Sequence, residues 1–426
     1  FSFACRYLPS QSNGQPTANR HHSIVQSLSP HESSPTVTQS TRQVAIVGAG
    51  VFGAASALVL RQRGWEVTVI DPGPLPHVDA SSTDVSKVIR MDYGSDVFYM
   101  ELGEEAFDGW DRWNREWPRP LYHEDGFLIL SRGAMEAGSF SADSFAALKE
   151  RGHDPIRLTD VPTNLMSQWD ADSHSDGYFN PRAGWAESGA VVDQLIGLAR
   201  SEGVRFREAG MAALLSDESR VSGVLTTAGE RVFSDRVVVA AGAWSPSLLP
   251  WLSDVIWATG QPVLHFQADD AAAFSPPNFS PWSADISLSG WYGFPALEDG
   301  RVKVANHGVG TRLHPDQRGT VSDDHVARTR DFLRGVIPRL ADQPVVYRRV
   351  CMYCDSFDGD FLIGADPDRE GLVVATGGSG HGFKFAPVLG DVIADAVEGI
   401  ENPRSSRFGW RKLGQVRTEE ARFTGD

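Results

Sequence analysis

An α/β fold, in which a Rossmann-type nucleotide-binding domain is interleaved with an α+β domain built on a largely antiparallel sheet, is predicted by three features of this chain. One is Val44-Ala-Ile-Val47, followed by Gly48-Ala49-Gly50-Val51-Phe52-Gly53 and a second apolar strand closing on Asp71. Another is a distant buried-strand run, Val237-Val-Val-Ala-Ala241-Gly242-Ala-Trp244. The third is size: 426 residues exceed one ordinary core, and residues 258–344 contain strands of period two.

Residues 1–42 are rich in Ser, Gln, Pro, His and Thr, with Glu32 as the only acid. Such a composition cannot bury enough surface to order itself, so a disordered extension is expected. Arg6, Arg20 and Arg42 are sparse for a transit peptide, although organellar targeting stays open. Order begins at Val44 with a buried parallel strand, a small-residue helix over 54–63, a turn at Gly64 and a strand over 67–70. Further along, the pattern predicts a helix over 191–201, a hairpin over 220–233 and a strand over 236–241. Next come an alternating strand over 301–305, a helix around 325–336, a strand over 372–376 and a helix over 388–397. The expected partition is a discontinuous cofactor domain (43–125, 185–257, 345–405), a substrate domain (126–184, 258–344) and a C-terminal tail (406–426).

In the glycine run, Gly48 allows the tight turn, Gly50 lets a pyrophosphate approach the backbone, and Gly53 allows close helix–strand packing. Val51 and Phe52 lie between them, and the phosphates sit on the helix N-terminus. Asp71, placed at the end of the second strand, suits ribose hydroxyls. Ala241, Gly242 and Trp244 end a strand able to pass under the nucleotide, although an ordinary core strand reads the same way. These features alone do not separate FAD from NAD.

Composition excludes several classes. With 41% hydrophobic and 22% charged residues, and no apolar run of about 18 residues, a membrane span is not expected. A net charge of -16 makes nucleic acid a poor partner. Three cysteines (Cys5, Cys351, Cys354) form no disulfide framework, which fits a soluble, intracellular and most simply cytoplasmic protein. No Cys/His cluster has zinc spacing and no Gly-x-Ser-x-Gly elbow occurs, so neither a metal nor hydrolase chemistry is expected.

The runs Ser86-Lys-Val-Ile-Arg-Met-Asp-Tyr93, Trp291-Tyr-Gly-Phe-Pro295 with Lys303 and His307 behind it, Cys351-Met-Tyr353 and Gly380-His-Gly-Phe-Lys384 are more specific. From Val44 to about Ile400 the chain resembles the D-amino-acid oxidase and glycine oxidase superfamily, in the branch of monomeric sarcosine, pipecolate, saccharopine and fructosyl amino acid oxidases. The resemblance implies FAD, a monomer, and a thioether from Cys351 to the flavin. Cys354 departs from the sarcosine-type pattern and leaves open which sulfur is bonded. Ser86, Lys87, Gly378, Gly380, His381, Gly382, Phe383 and Lys384 are the implied flavin contacts, with His381 a donor to the reduced ring. Arg90 and Lys384 are implied to clamp the substrate carboxylate, because two cations from distant segments orient better than one. Lys303 is implied to face the flavin through a water and stabilise superoxide, although strand alternation alone would give it to solvent. Tyr292 and Tyr353 are expected to line the substrate cavity; His307 stays undecided between core and site.

The reaction expected is oxidation of the C–N bond of a carboxylate-bearing secondary amine to an imine, with O2 reduced to hydrogen peroxide. Lys87, where sarcosine oxidases carry an arginine, and Ala183-Gly-Trp-Ala186, which resembles fructosyl and saccharopine oxidases, tilt toward a bulkier N-substituted amino acid. The alternatives are a flavin dehydrogenase that passes electrons to a protein or quinone, and a non-catalytic flavin-binding protein.

Overall fold

After Gln43, every position of the first strand, β1 (Gln43–Val47), is apolar and buried, as a strand covered on both faces must be. The computed structural model describes residues 42–217 and 220–425, so the extension expected over 1–42 lies outside the described residues except for Arg42. β1 runs through Gly48 into helix α1 (Val51–Gln62), then to β2 (Glu66–Asp71), which pairs with β1 in parallel. The helix starts three residues before the expected Ala54, because extended Gly50 serves as its N-cap and the small residues that follow join its first turn. Gly48 has φ of +102°, and a Cβ there would lie 2.5 Å from the Ala240 carbonyl oxygen. Only glycine lets the loop pass this close to the neighbouring strand.

Around β1 the sheet is ordered Leu362–Ala365, Leu372–Thr376, Arg236–Val239, β1, β2, Arg205–Glu208. Every neighbouring pair is parallel except the first. One face is packed by α1 and the helices Ser188–Ser201 and Ala386–Glu398; the other is covered by a three-stranded sheet over 211–233. The long helix Val97–Glu116 buries Tyr99, Met100, Leu102, Gly103, Ala106, Phe107, Gly109 and Trp110, a stripe of helical period. Gly109 allows this helix to touch Pro387 at the start of 386–398.

A second, nine-stranded sheet is mostly antiparallel, with one parallel pair between Trp282–Ala284 and Phe127–Ser131. Its longest ladder joins Ile256–Gln267 to Val345–Ser356. The latter strand comes from the segment assigned by sequence to the cofactor domain, yet its hydrogen bonds belong to this sheet. In Arg301–Asn306 alternation survives but both faces are covered: Val302 and Val304 enter the core under helix Asp323–Val336, and Lys303 is buried on the opposite side. A solvent-facing Lys303, the ordinary expectation from its pattern, is not what forms. Among the described residues no helix is long and apolar enough to cross a membrane, and no His/Cys/Asp/Glu group could hold a metal ion.

The packing gives a paired prediction. In Gly109→Val the new Cβ would lie 2.2 Å from Pro387 Cβ, so overpacking should destabilise by about 1–3 kcal/mol. Gly197, on helix 188–201, has no neighbour within 4 Å of its Cβ position, so Gly197→Ala should stabilise by about 1 kcal/mol. Opposite shifts in denaturation midpoint would bear this out.

Candidate active site

A cavity of about 530 Å³ opens at the carboxyl ends of β1 and β2, where open α/β sheets bind ligands. Gly48, Gly50, Val51, Phe52, Asp71, Lys87, Ala241, Gly242, Trp244, Gly378, Gly380, Gly382 and Phe383 all line it. Asp71 also braces the loop it faces: Oδ2 accepts the Ala49 N–H at 2.8 Å and Oδ1 the Gly73 N–H at 3.0 Å. Ser82, which the sequence reading missed, accepts the Val51 N–H at 3.2 Å. The first turn of α1, the glycine backbone and an apolar lining fit a dinucleotide whose pyrophosphate rests on a helix N-terminus. Gly242 faces open space at its Cβ position, so a side chain there would enter the cavity. Gly53 lies outside the lining; a Cβ there would be 1.9 Å from the Gly48 carbonyl oxygen, so it is a packing glycine.

A smaller cavity of about 80 Å³ adjoins the first, and Lys87, Tyr353, Gly380 and Phe383 line both. Gly380, at φ +80°, would place a Cβ 2.4 Å from the Tyr353 ring, so a side chain there would break this shared wall. Arg90, Lys384, Tyr292, His307 and His381 line the small cavity, with Phe127, Phe140, Ile286 and Phe294 as apolar walls. Lys384 Nζ donates to Tyr93 Oη and to the His381 carbonyl, both at 2.9 Å, while Trp110 Nε1 donates to the Lys384 carbonyl at 2.8 Å. Burial, with the charge of Arg90 adding to it, lowers the Lys384 pKa to about 7.

His381 lines the small cavity and spends both ring nitrogens on protein partners. Nε2 donates to the Gly359 carbonyl and Nδ1 accepts from Tyr93 Oη, both at 3.0 Å, and the ring packs among Tyr99, Phe361 and Phe385. Both nitrogens are therefore occupied, and burial lowers its pKa to about 4, so it is neutral. His307 joins the site. Its Nε2 donates to Glu419 Oε1 at 2.7 Å, and Nδ1 lies 3.4 Å from Tyr353 Oη.

Lys303 lines neither cavity. It is fully buried behind Phe294, whose ring it faces at 4.6 Å; its ammonium pairs with Asp84 and donates to the Ser86 carbonyl at 2.8 Å. Burial lowers the Lys303 pKa, and Asp84 opposes that shift. Burial would raise Asp84, but Lys303, Lys87 and Arg349 together hold it far below the usual carboxylate range. Lys87 Nζ lies 3.5 Å from Asp84 and 3.8 Å from Cys351 Sγ. Cys351 packs against Val263, Ala305 and Tyr353 and lines neither cavity, whereas Cys354 points the other way, lines the long cavity and accepts from Thr376 Oγ1 at 3.3 Å. Burial pushes the Cys354 thiol up to about 11.

Three residues of this constellation escaped the sequence reading. Asp84 lies only two residues before the recognised Ser86 run, and Tyr93 within it, so their neighbourhood was the available signal. Glu419 lies in the segment taken for a tail and had none. Asp92, also in that run, is held by Tyr178 and Asn180 away from the cavity, and burial raises its pKa.

With this geometry the comparisons with known proteins agree. The profile of a family described as DAO, FAD dependent oxidoreductase, matches residues 43–396. N-methyl-L-tryptophan oxidase of Salmonella arizonae is 30% identical over 365 residues, covering 82% of this chain and 93% of that protein. Monomeric sarcosine oxidase of a Bacillus species is 26% identical over 360 residues, with 82% and 90% covered. The crystal structure of the deglycating enzyme fructosamine oxidase (Amadoriase II) of Aspergillus fumigatus, in complex with FSA, superimposes with a TM-score of 0.77 at 26% identity, over 90% of this chain and 94% of that one. The chain belongs to the DAO family of FAD-dependent oxidoreductases.

Proposed function

We propose that this protein oxidises the C–N bond of a carboxylate-bearing secondary amine to an imine, with O2 as the electron acceptor and hydrogen peroxide as the product. The observation that carries the reading is the junction of the two cavities: a small pocket with Arg90 and Lys384 in its wall opens beside the long one at Lys87, Tyr353, Gly380 and Phe383. Two buried cations hold a carboxylate in one orientation, and the apolar walls exclude water that would compete for the amine. FAD held by the residues of the long cavity would supply the two-electron acceptor. The relatives named above are, by their names, oxidases of N-methyl-L-tryptophan, sarcosine and fructosamine, which supports the substrate class.

The small cavity has room for roughly five to eight water-sized volumes, enough for a small N-alkyl amino acid. This runs against the bulkier substrate suggested by Lys87 and Ala183–Ala186. Peroxide release from sarcosine, pipecolate, saccharopine and fructosyl-valine tests both points, with sarcosine or pipecolate expected to lead. Silence across the panel would remove the amine-oxidase reading. Lys303→Met should slow reoxidation by O2 by about tenfold or more while leaving anaerobic reduction near wild type. Fast reduction of an artificial acceptor beside slow O2 use in the wild type would instead favour the dehydrogenase.

For the thioether, Cys351 is the sulfur we assign, because it has the cationic neighbour that a reactive sulfur needs, whereas the Cys354 thiol is held protonated. Acid precipitation should leave yellow colour in the pellet for the wild type and Cys354→Ser, and in the supernatant for Cys351→Ser.

Lys384 gives a pH signature. A carboxylate ligand needs its ammonium form, which in the free pocket is lost as the pH rises through about 7. Acetate, which has no amine to titrate, should therefore inhibit less well above neutrality, and Lys384→Met should flatten that dependence.

A further inference from the structure

The segment Arg417–Phe423, far from every recognised motif, contributes Glu419 to the wall of the small cavity. It is pinned at several points. Arg417 pairs with Asp360 at 2.8 Å, and its N–H donates to the Phe357 carbonyl at 2.9 Å. Arg422 pairs with buried Asp355 at 3.0 Å over the Tyr353 ring, and the Phe423 N–H donates to the His307 carbonyl at 3.0 Å. Ala421 packs against Phe140 and Ile286.

These anchors aim Glu419 into the pocket, where its side chain is 5% exposed. His307 fixes Oε1, but Oε2 accepts no hydrogen bond among the described residues. Oε2 lies 3.8 Å from Arg90 Nη2, and Arg90 Nη1 donates to nothing. A buried carboxylate oxygen and a buried N–H of the neighbouring guanidinium, each without a hydrogen-bond partner, are both costly to leave unmade. Each is satisfied at once by a ligand that carries an acceptor next to a donor. A simple carboxylate satisfies Arg90 alone and sets its own charge against Glu419.

We propose that Glu419 is a specificity-determining residue: its Oε2 accepts an N–H of the substrate amine while Arg90 and Lys384 hold the adjacent carboxylate, so that the pocket selects acids with a donor on the α-carbon over acids without one. His307 is then a positioning residue, which acts by holding the carboxylate of Glu419. The inference rests on the amino-acid reading of this cavity and names the group that recognises its nitrogen end.

Glycolate and acetate isolate the effect, because they differ by one hydroxyl beside the carboxylate and neither is an amine substrate. Calorimetric titration of the flavin-loaded full chain should give tighter binding of glycolate. In Glu419→Gln, whose amide would present N–H to the cavity while its oxygen faces His307, the glycolate-to-acetate preference should fall by about tenfold, mainly through weaker glycolate binding. The KM for sarcosine should rise with little change in kcat. A retained preference, or equal losses for both acids, would overturn the proposal and leave Glu419 as a mere anchor of the segment. Equal tightening of both would overturn it too, by marking Glu419 as an internal competitor for the carboxylate position. Glu419→Asp, which withdraws the oxygens, should give an intermediate ratio and serves if the Gln variant folds poorly. Failure of both acids to bind the wild type would sink the amino-acid reading itself, a result distinct from binding without selectivity.

Discussion

The register of one β-ladder governs the relation between the two cavities. Val345–Ser356 runs antiparallel to Ile256–Gln267 over almost its whole length, with Cys351 opposite Gln261 and Cys354 opposite Ala258. Because side chains alternate, Cys351 and Cys354 emerge on opposite faces, the first toward Tyr292 and Val263, the second toward Thr376 and the core of the parallel sheet. Tyr353, between them, lines both cavities. A slip of one residue would exchange these faces and separate every pairing at the junction. The nucleotide loop and the small cavity thus depend for their mutual placement on a strand that belongs to the antiparallel sheet.

Charge is concentrated around that strand. Buried Lys303 and Asp84 form one group with half-buried Lys87, and Arg90, Glu419 and His307 another, with Lys384 beside it. Burying ions is costly unless they are paired, and removal of one partner leaves the other stranded. The first group is better matched: Lys303 donates to Asp84 and to the Ser86 carbonyl. The second is left partly unsatisfied at Arg90 and Glu419. This contrast distinguishes a preorganised charge that needs no further partner from a site waiting for one.

Legibility in the sequence followed locality. The glycine run, its strands and Asp71 were readable because strand, turn, helix and acid follow one another at fixed spacing. The strand over 372–376 and the helices over 188–201 and 323–336 were readable from periodicity, to within a few residues at their starts. Arg90, Lys384, Tyr292 and Tyr353 were found through family runs and do come together on the cavity wall. The fate of Lys303 was opaque to alternation, because period two says which residues share a face and not what covers it. Glu419 had no local pattern at all; its place is set by Arg417, Arg422 and Phe423 gripping partners 57 to 116 positions back along the chain, at Asp360, Phe357, Asp355 and His307. The sharing of both His381 nitrogens was equally invisible, since it depends on a carbonyl at Gly359.

The polar chain from Lys384 through Tyr93 to His381 runs one way. Gly359 offers only a carbonyl, so His381 carries its proton on Nε2, Tyr93 must give its own to Nδ1, and Tyr93 Oη is left to accept from Lys384. Two of the three ammonium hydrogens of Lys384 are therefore committed, to Tyr93 and to the His381 carbonyl. Only the third is unassigned, and when the amine becomes neutral a lone pair takes its place. One proton thereby inverts the polarity of that corner: charged, it welcomes an anion; neutral, it welcomes a hydrogen.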